Sequence, residues 1–445
     1  MAPPILWNKE INGMKMSFVP MKHVDTVAVG IFVRVGSRYE NEKNSGISHL
    51  IEHMMFKGTK EKKGDDISLM LDKEGASYNA GTSNEFTYYF ICGHKKSVYV
   101  FIELIFDMIF NPAFRLSDLK TERNVVIEEI KLGKDSPNQV LMNYIQEKMF
   151  DGSSLARTIT GPASVVGKIT PEQLKQYTNE FYNPKRMVFM AVGNMNPKKI
   201  YRLLKSYVPK IIQKRNNTTT LYKVPSFKQQ KNPMVYIKKK EDIGQTYIAL
   251  IFRSCHQFHK DEEVYDLIGD VLSTGSSSRL FMLLRNKLGI AYFVNSFNLA
   301  FCEEGIFCIN AGVDNKRVGQ AIEEIVKTIV DLKNNGITED EYTKITKLQV
   351  ASFALSLQTP EDYMKFYGLR LLFKDIDYPK PTKIVKKISV EDQIKIYENI
   401  PRKKINSTIN DLFSTDNVNL FVYGTSPSKN IGKTLNLLKK KSNRK

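Results

Sequence analysis

The chain is poor in cysteine, has a single tryptophan and lacks any apolar run long enough to cross a bilayer. Its four cysteines, Cys92, Cys255, Cys302 and Cys308, are scattered without a close C-x-x-C pair. That spacing argues against a disulfide framework and predicts buried thiols in a reducing compartment. The most apolar stretch, Val98–Phe110, carries Glu103 and Asp107. It is too short to span a membrane and predicts a buried core helix that starts near Ser97 and ends before Pro112. The N-terminus shows no secretory apolar region and no Arg/Ser-rich presequence, and leads into a predicted strand. The expectation is a soluble, cytoplasmic or otherwise intracellular protein with no membrane contact. Acidic residues are outnumbered, 47 Asp and Glu against 66 Lys and Arg, for a net charge of +19. Such a balance invites a nucleic-acid partner. The basic residues are spread along helix faces and loops, however, without interleaved aromatics. The densest runs are Lys238-Lys239-Lys240 and residues 439–445. They read as solvated surface and a frayed end, and no nucleic acid is expected.

With 445 residues, 42% hydrophobic and 25% charged, the chain is globular and too long for one ordinary domain. Its pattern is written twice. Strands are predicted at Met14–Pro20 and Thr26–Val33, a helix over 67–74 stopped by Gly75, and strands at 77–83 and 86–91. Thr170 and Gln173 form a capping box at the head of a helix, and 187–193 reads as a buried strand. Polar, Pro-punctuated sequence at 212–233 reads as a linker. Past it, 246–252 echoes 26–33, an apolar helix at 264–272 stands where 49–53 stood, 291–296 and 305–310 echo the strand pair at 77–91, 388–393 echoes 169–174, and 418–424 echoes 187–193. The fold expected is α+β with an internal duplication. Its parts are an N-terminal domain at 1–211, the linker at 212–233, a C-terminal domain at 234–432 and a basic tail at 433–445.

Only the first copy carries His49-Leu50-Ile51-Glu52-His53. Ser48 is a candidate N-cap for a helix here. On a helix, His49 and His53 are one turn apart and face the same way, a ready pair of zinc ligands. Glu52 lies on nearly the same face, placed to take a proton from a water acidified by the metal. This H-x-x-E-H order occurs among zinc peptidases. The competing reading is two exposed histidines on an amphipathic helix. A second helix starts at Ser117, with Leu119, Val125, Val126, Ile130 and Leu132 as its expected buried stripe. Glu122 and Glu129 are two turns apart and share a face, and a carboxylate there would complete a His2Glu set. Glu122, Glu128 and Glu129 are equally open to being ordinary surface acids.

Taken jointly, these residues resemble the M16 family of zinc peptidases, the inverzincins that include insulysin, pitrilysin and the mitochondrial processing peptidase. The resemblance spans nearly the whole chain: residues 46–59, 75–87, 122–130, 277–281 and 285–292. It implies two homologous α/β-roll domains of the LuxS/metallopeptidase-like kind, forming half of a clamshell. It also implies one Zn2+ per chain held by His49, His53 and Glu129, with Glu52 as general base and Glu122 as an assisting carboxylate. Asn79 and Ala80 fall on the edge strand that pairs with bound peptide. Arg285 and Tyr292 match a pair that closes over the scissile bond. A homodimer, or a heterodimer with a paralogous chain of the family, follows from the half-shell. The absence of a presequence sets the chain apart from the mitochondrial enzyme.

The function expected is a zinc endopeptidase cutting peptides or unfolded segments. One alternative is a non-proteolytic subunit that keeps the fold as a scaffold. The other is a basic binding protein whose histidines are incidental.

Overall fold

The computed structural model of the chain describes residues 6–211, 230, 232–257, 259–374, 389–427 and 431–439. Apart from 230, 232 and 233, the expected linker lies outside the described residues. The strands are β1 (Trp7–Ile11), β2 (Met14–Pro20), β3 (Thr26–Val33), β4 (Ser77–Thr82), β5 (Thr87–His94), β6 (Met187–Gly193), β7 (Met234–Lys239), β8 (Thr246–Ser254), β9 (Ala291–Ala300), β10 (Gly305–Val313) and β11 (Val418–Gly424). The helices are α1 (Ile47–Met55), α2 (Gly64–Lys73), α3 (Val98–Phe110), α4 (Leu116–Asp135), α5 (Pro137–Met149), α6 (Ala163–Val166), α7 (Pro171–Phe181), α8 (Pro197–Ile211), α9 (Glu262–Leu272), α10 (Val318–Asn335), α11 (Glu339–Leu355), α12 (Pro360–Phe373), α13 (Val390–Asn399), α14 (Arg402–Leu412) and α15 (Ile431–Asn436).

The chain forms two compact units, each built from non-contiguous pieces. The first comprises 1–134, 146–225 and 356–376; the second comprises 135–145, 226–355 and 377–445. The division drawn from sequence assigned 1–211 and 234–432 to separate domains. By contacts, 135–145 goes with the second unit and 356–376 with the first. Hydrophobic periodicity shows that a helix has a face to bury but not which sheet receives it.

The first unit holds a six-stranded sheet ordered β1-β2-β6-β3-β5-β4. Asn12 and Gly13, both at positive φ, make the tight turn that joins β1 to β2. The pair β2 and β6 is parallel and the other neighbours are antiparallel. Helix α3 is apolar nearly all round and belongs to the main core of this unit. Helix α12 packs on β3 and β6. Gly30 and Gly368 permit that approach: a Cβ on Gly30 would lie 2.6 Å from Met364 Sδ, and one on Gly368 would lie 2.3 Å from Phe32 Cε2.

The second unit repeats the order with five strands, β7-β11-β8-β10-β9. Matching β2, β6, β3, β5 and β4 to β7, β11, β8, β10 and β9 pairs each strand with its copy. The one parallel pair, β7 with β11, falls in the same place. The duplication read from sequence is therefore one of topology as well.

Three details differ from expectation. On α4, Leu119, Val126 and Ile130 are buried, but Val125 is 46% and Leu132 70% exposed, so the apolar stripe is narrower than its residue types suggest. The expected basic tail begins as structure: α15 and the turn Leu437–Lys439 bury Leu435 and Leu438 in the second core, and only 440–445 lie outside the described residues. Cys302 and Cys308 are buried, whereas Cys92 and Cys255 are half-buried; none of the four is in a disulfide. Among the described residues no helix is long and apolar enough to cross a membrane.

Candidate metal centre

Helix α1 is built to be held rigidly. Its inner face, Leu50, Ile51, Met54 and Met55, is buried. Its N-cap is Gly46, at φ +93°, and not Ser48. The side chain that serves the first turn comes from upstream: the buried Glu40 carboxylate accepts N–H bonds from Gly46 (2.7 Å) and Ser48 (2.9 Å). An acid at a helix N-terminus satisfies otherwise orphaned donors. Burial nevertheless pushes the Glu40 carboxyl up to about 7. Ser48 Oγ pairs instead with Tyr177 OH at 2.9 Å.

His49 and His53 project from one side of α1 with ring centroids 4.7 Å apart. Helix α4 lies opposite. Glu129 Oε2 is 3.6 Å from His49 Nε2 and 3.7 Å from His53 Nε2. The ligand atoms of His49, His53 and Glu129 all lie within 4.8 Å of one another, and no other such group of three occurs among the described residues. Tetrahedral zinc with ligands at 2.0–2.1 Å sets neighbouring donors about 3.4 Å apart. Two nitrogens and one carboxylate oxygen at this spacing fit that ion. Glu128, the neighbouring candidate, is exposed and pairs with Lys131 at 2.7 Å.

Glu122 is almost wholly buried one helical repeat before Glu129. Its Oε2 is 3.1 Å from His53 Nδ1 and its Oε1 is 2.8 Å from Lys57 Nζ. Both oxygens are engaged, so this carboxylate orients His53 and leaves Nε2 to face the cluster, as carboxylate–histidine pairs do in metal sites. Burial works to raise its pKa, but the bonds from His53 and Lys57 hold it below the usual range. His53 shifts the opposite way: burial lowers its pKa, and the Glu122, Glu52 and Glu129 carboxylates outweigh that and raise it. Burial, assisted by His53, depresses His49 to about 4, which leaves a neutral imidazole at pH 7. His49 Nδ1 is buried without a hydrogen-bond partner.

Glu52 sits between His53 and β4. Its Oε2 accepts a hydrogen bond from Thr82 Oγ1 at 2.8 Å. Burial raises its pKa against the opposing effect of that bond. Asn79 and Ala80 lie on β4, which pairs on one side with β5 and forms the sheet's edge on the other among the described residues. Asn79 Oδ1 accepts the Ala80 N–H at 2.8 Å.

Arg285 and Tyr292 belong to the second unit. Arg285 rides on a π-helical turn, Phe281–Lys287, and Tyr292 on β9. Arg285 Nη1 donates to Tyr292 O at 3.1 Å, and its guanidinium lies 5.1 Å over the Phe281 ring and 5.7 Å over that of Tyr292. The Tyr292 side chain is otherwise open, 68% exposed.

Sequence reasoning missed Glu40, Lys57 and Thr82. Lys57 could have been found, since it follows His53 by one helical turn. Glu40 and Thr82 act across loops and have no periodic signature.

Residues 19–163 match the family model described as "Insulinase (Peptidase family M16)", and residues 168–348 match "Peptidase M16 inactive domain". The chain is 31% identical over 362 residues to an uncharacterised zinc protease of Bacillus subtilis, YmxG, covering 80% of this chain and 85% of that protein. A protease from Helicobacter pylori superposes with a TM-score of 0.84 at 24% identity, covering 95% of this chain and all of that one. A Pseudomonas fluorescens structure described as a peptidase M16 inactive domain also reaches 0.84, at 15% identity over 96% of this chain and 99% of its own. At these identities the two structures speak for fold alone. Two α+β units of one topology, only one with a His-His-Glu cluster among the described residues, define a duplicated metallopeptidase architecture. The chain belongs to peptidase family M16.

Proposed function

We propose that the chain is a zinc-dependent endopeptidase acting on peptides or unfolded polypeptide segments. The observation that carries this reading is the convergence of His49 Nε2, His53 Nε2 and Glu129 Oε2 beside the carboxylate of Glu52. His49, His53 and Glu129 would hold one Zn2+, which supplies Lewis acidity toward a carbonyl and lowers the pKa of water. Glu52 is the general base. Thr82 occupies its Oε2, leaving Oε1 to accept a proton, and burial makes the carboxylate more basic than a solvated one. Glu122 acts through His53 by fixing the ring. The edge strand β4 offers backbone groups to an extended peptide, a mode that binds many sequences because main-chain atoms do most of the work. Arg285 and Tyr292 enter through the resemblance alone, as donors to a developing oxyanion. Assembly as a dimer, with a second copy or a paralogous chain, belongs to the same reading.

The second reading is a non-proteolytic subunit that keeps the fold. It is favoured by the match of residues 168–348 to an inactive domain. One experiment separates the two. Wild type and Glu52→Gln are assayed on a quenched fluorescent peptide library, with zinc content measured on each. Zinc in both and cleavage by wild type only supports the peptidase. Zinc in both and cleavage by neither supports the scaffold, or a peptidase that lacks its partner subunit. Zinc in neither removes the ligand assignment itself.

A further inference from the structure

We propose that Thr82 is a positioning residue for Glu52, so that the base takes its orientation from the strand that receives the substrate. This rests on the peptidase reading for its consequence, but its structural core is independent of turnover. Thr82 is the last residue of β4, opposite Thr87 of β5. Its Oγ1 bonds Glu52 Oε2 at 2.8 Å. A glutamate side chain has three rotatable bonds, and a single well-aligned hydrogen bond to a fixed hydroxyl removes much of that freedom.

The hydroxyl is fixed because the end of β4 is. Thr87 is buried and donates its hydroxyl to Val35 O at 2.8 Å. The turn after Thr82 is bonded to the segment 36–40: Ser37 N donates to Ser83 O at 3.3 Å, Arg38 N to Asn84 O at 2.9 Å, and Asn84 Nδ2 to Ser37 Oγ at 2.9 Å. Arg38 and Glu85 form an ion pair with both side chains almost fully buried. Gly36 touches this turn so closely that a Cβ there would lie 2.1 Å from Ser83 O. The same segment ends in Glu40, which binds the first turn of α1. Residues 36–40 therefore hold both partners of the Thr82–Glu52 bond, the hydroxyl through the β4–β5 turn and the carboxylate through α1. The remainder of β4, 77–81, lies on the open edge. A peptide pairing with that edge would extend a strand whose final residue already grips the base. Correct alignment of the reacting groups and substrate binding are thus coupled through one side chain.

The test uses the full-length protein with Thr82→Val, Thr82→Ala and Thr82→Ser. Valine keeps the shape and removes the hydroxyl, alanine serves if valine disturbs folding, and serine restores the donor. Zinc content, kcat and KM on one quenched peptide, and crystal structures of the zinc-free wild type and Thr82→Val are measured. We expect equal zinc in all forms. In Thr82→Val kcat falls about 10- to 100-fold with KM within about twofold, and Thr82→Ser recovers most of the loss. Glu52 adopts one conformation in zinc-free wild type and several in Thr82→Val. A Thr82→Val kcat within about twofold of wild type, or a Glu52 side chain unmoved in its crystals, overturns the proposal. Should wild type bind zinc without turning over any peptide, the peptidase reading fails, and the conformation of Glu52 in the two zinc-free structures alone decides whether Thr82 positions it.

Discussion

Removing the carboxylate of Glu122 gives the sharpest test of how the cluster is organised. The side chain is 4% exposed, and its two oxygens are divided between His53 Nδ1 at 3.1 Å and Lys57 Nζ at 2.8 Å. Its polar partner in the His-His-Glu group is His53, so its effect on zinc is expected to pass through that ring. Orienting partners of this kind change metal affinity about 10- to 100-fold, or about 1.4–2.7 kcal/mol. Glu122→Gln keeps the volume and a carbonyl acceptor for His53 but loses the charge that pairs with Lys57, so the effect should lie near tenfold. Glu122→Ala leaves a buried imidazole nitrogen unpaired beside a cavity and should approach 100-fold. Glu129→Gln replaces the anionic third donor with a neutral amide and should weaken zinc more than either. Glu128→Gln, an exposed residue bonded to Lys131, should leave affinity unchanged. Zinc affinity is measured at fixed pH by competition with a chromophoric chelator. Retention of wild-type affinity by Glu122→Ala would refute the orienting role. A loss in Glu128→Gln as large as that in Glu129→Gln would refute the choice of ligand.

Two further predictions concern the scaffold. Burial raises the Glu40 carboxyl from 4.5 to about 7, so between those values the folded chain holds a proton that the unfolded chain has released. The stability this contributes is complete below about pH 4.5 and is lost as pH rises through 7, on the order of 3 kcal/mol in all. In Glu40→Gln that decline should vanish from the pH dependence of denaturant midpoints, and parallel curves for variant and wild type would contradict it. On the sheet, Gly30→Ala drives a methyl to 2.6 Å from Met364 Sδ and 3.1 Å from Tyr89 O, a clash worth about 1–3 kcal/mol. Met364→Ala alone should cost about 2–5 kcal/mol. The double variant should lose less than the sum in urea unfolding, and strict additivity would mean that α12 does not rest on β3 as described.

The cluster was legible because its members sit at helical spacings. His49 and His53 repeat at four residues and Glu122 and Glu129 at seven, so each pair shares a face, but the choice of Glu129 over Glu128 rests on the family resemblance and not on spacing. The duplicated topology was legible for a similar reason: apolar runs such as 26–33 and 246–252 recur in the same order. What escaped was whatever depends on approach between distant segments. Val125 and Leu132 have the residue type of a core stripe yet face out, so burial on α4 is not set by hydrophobicity alone. The N-cap of α1 is Gly46 and its first-turn N–H groups are met by Glu40 across a loop, where the local pattern pointed to Ser48. Helix α12, Pro360–Phe373, lies far along the chain from the first sheet, and no local pattern tells that it packs on β3 and β6.

The second unit shows what the fold needs once the chemistry is taken away. Helix α9 occupies the place of α1, and Asp266-Leu267-Ile268-Gly269-Asp270 aligns with His49-Leu50-Ile51-Glu52-His53. Leu50 and Ile51, like Leu267 and Ile268, are fully buried, so the inward positions are kept. The outward ones are not. Asp266 accepts a hydrogen bond from Tyr397 OH at 3.0 Å, and burial pushes it up to about 7 and Asp270 to about 6. No third ligand joins them among the described residues. Where Glu52 reaches from α1 to Thr82 on β4, Gly269 lets β9 approach: a Cβ there would lie 3.2 Å from Ser296 O, and Ser296 Oγ donates to Gly269 O at 2.9 Å. The helix-to-edge-strand link is thus made by a side-chain carboxylate in one unit and by main-chain oxygen in the other. Any side chain at 269 would require Ser296 to give by a few tenths of an ångström. Packing of the inward face therefore preserves the architecture in both units, while the position facing the edge strand holds a carboxylate in the first and a glycine in the second.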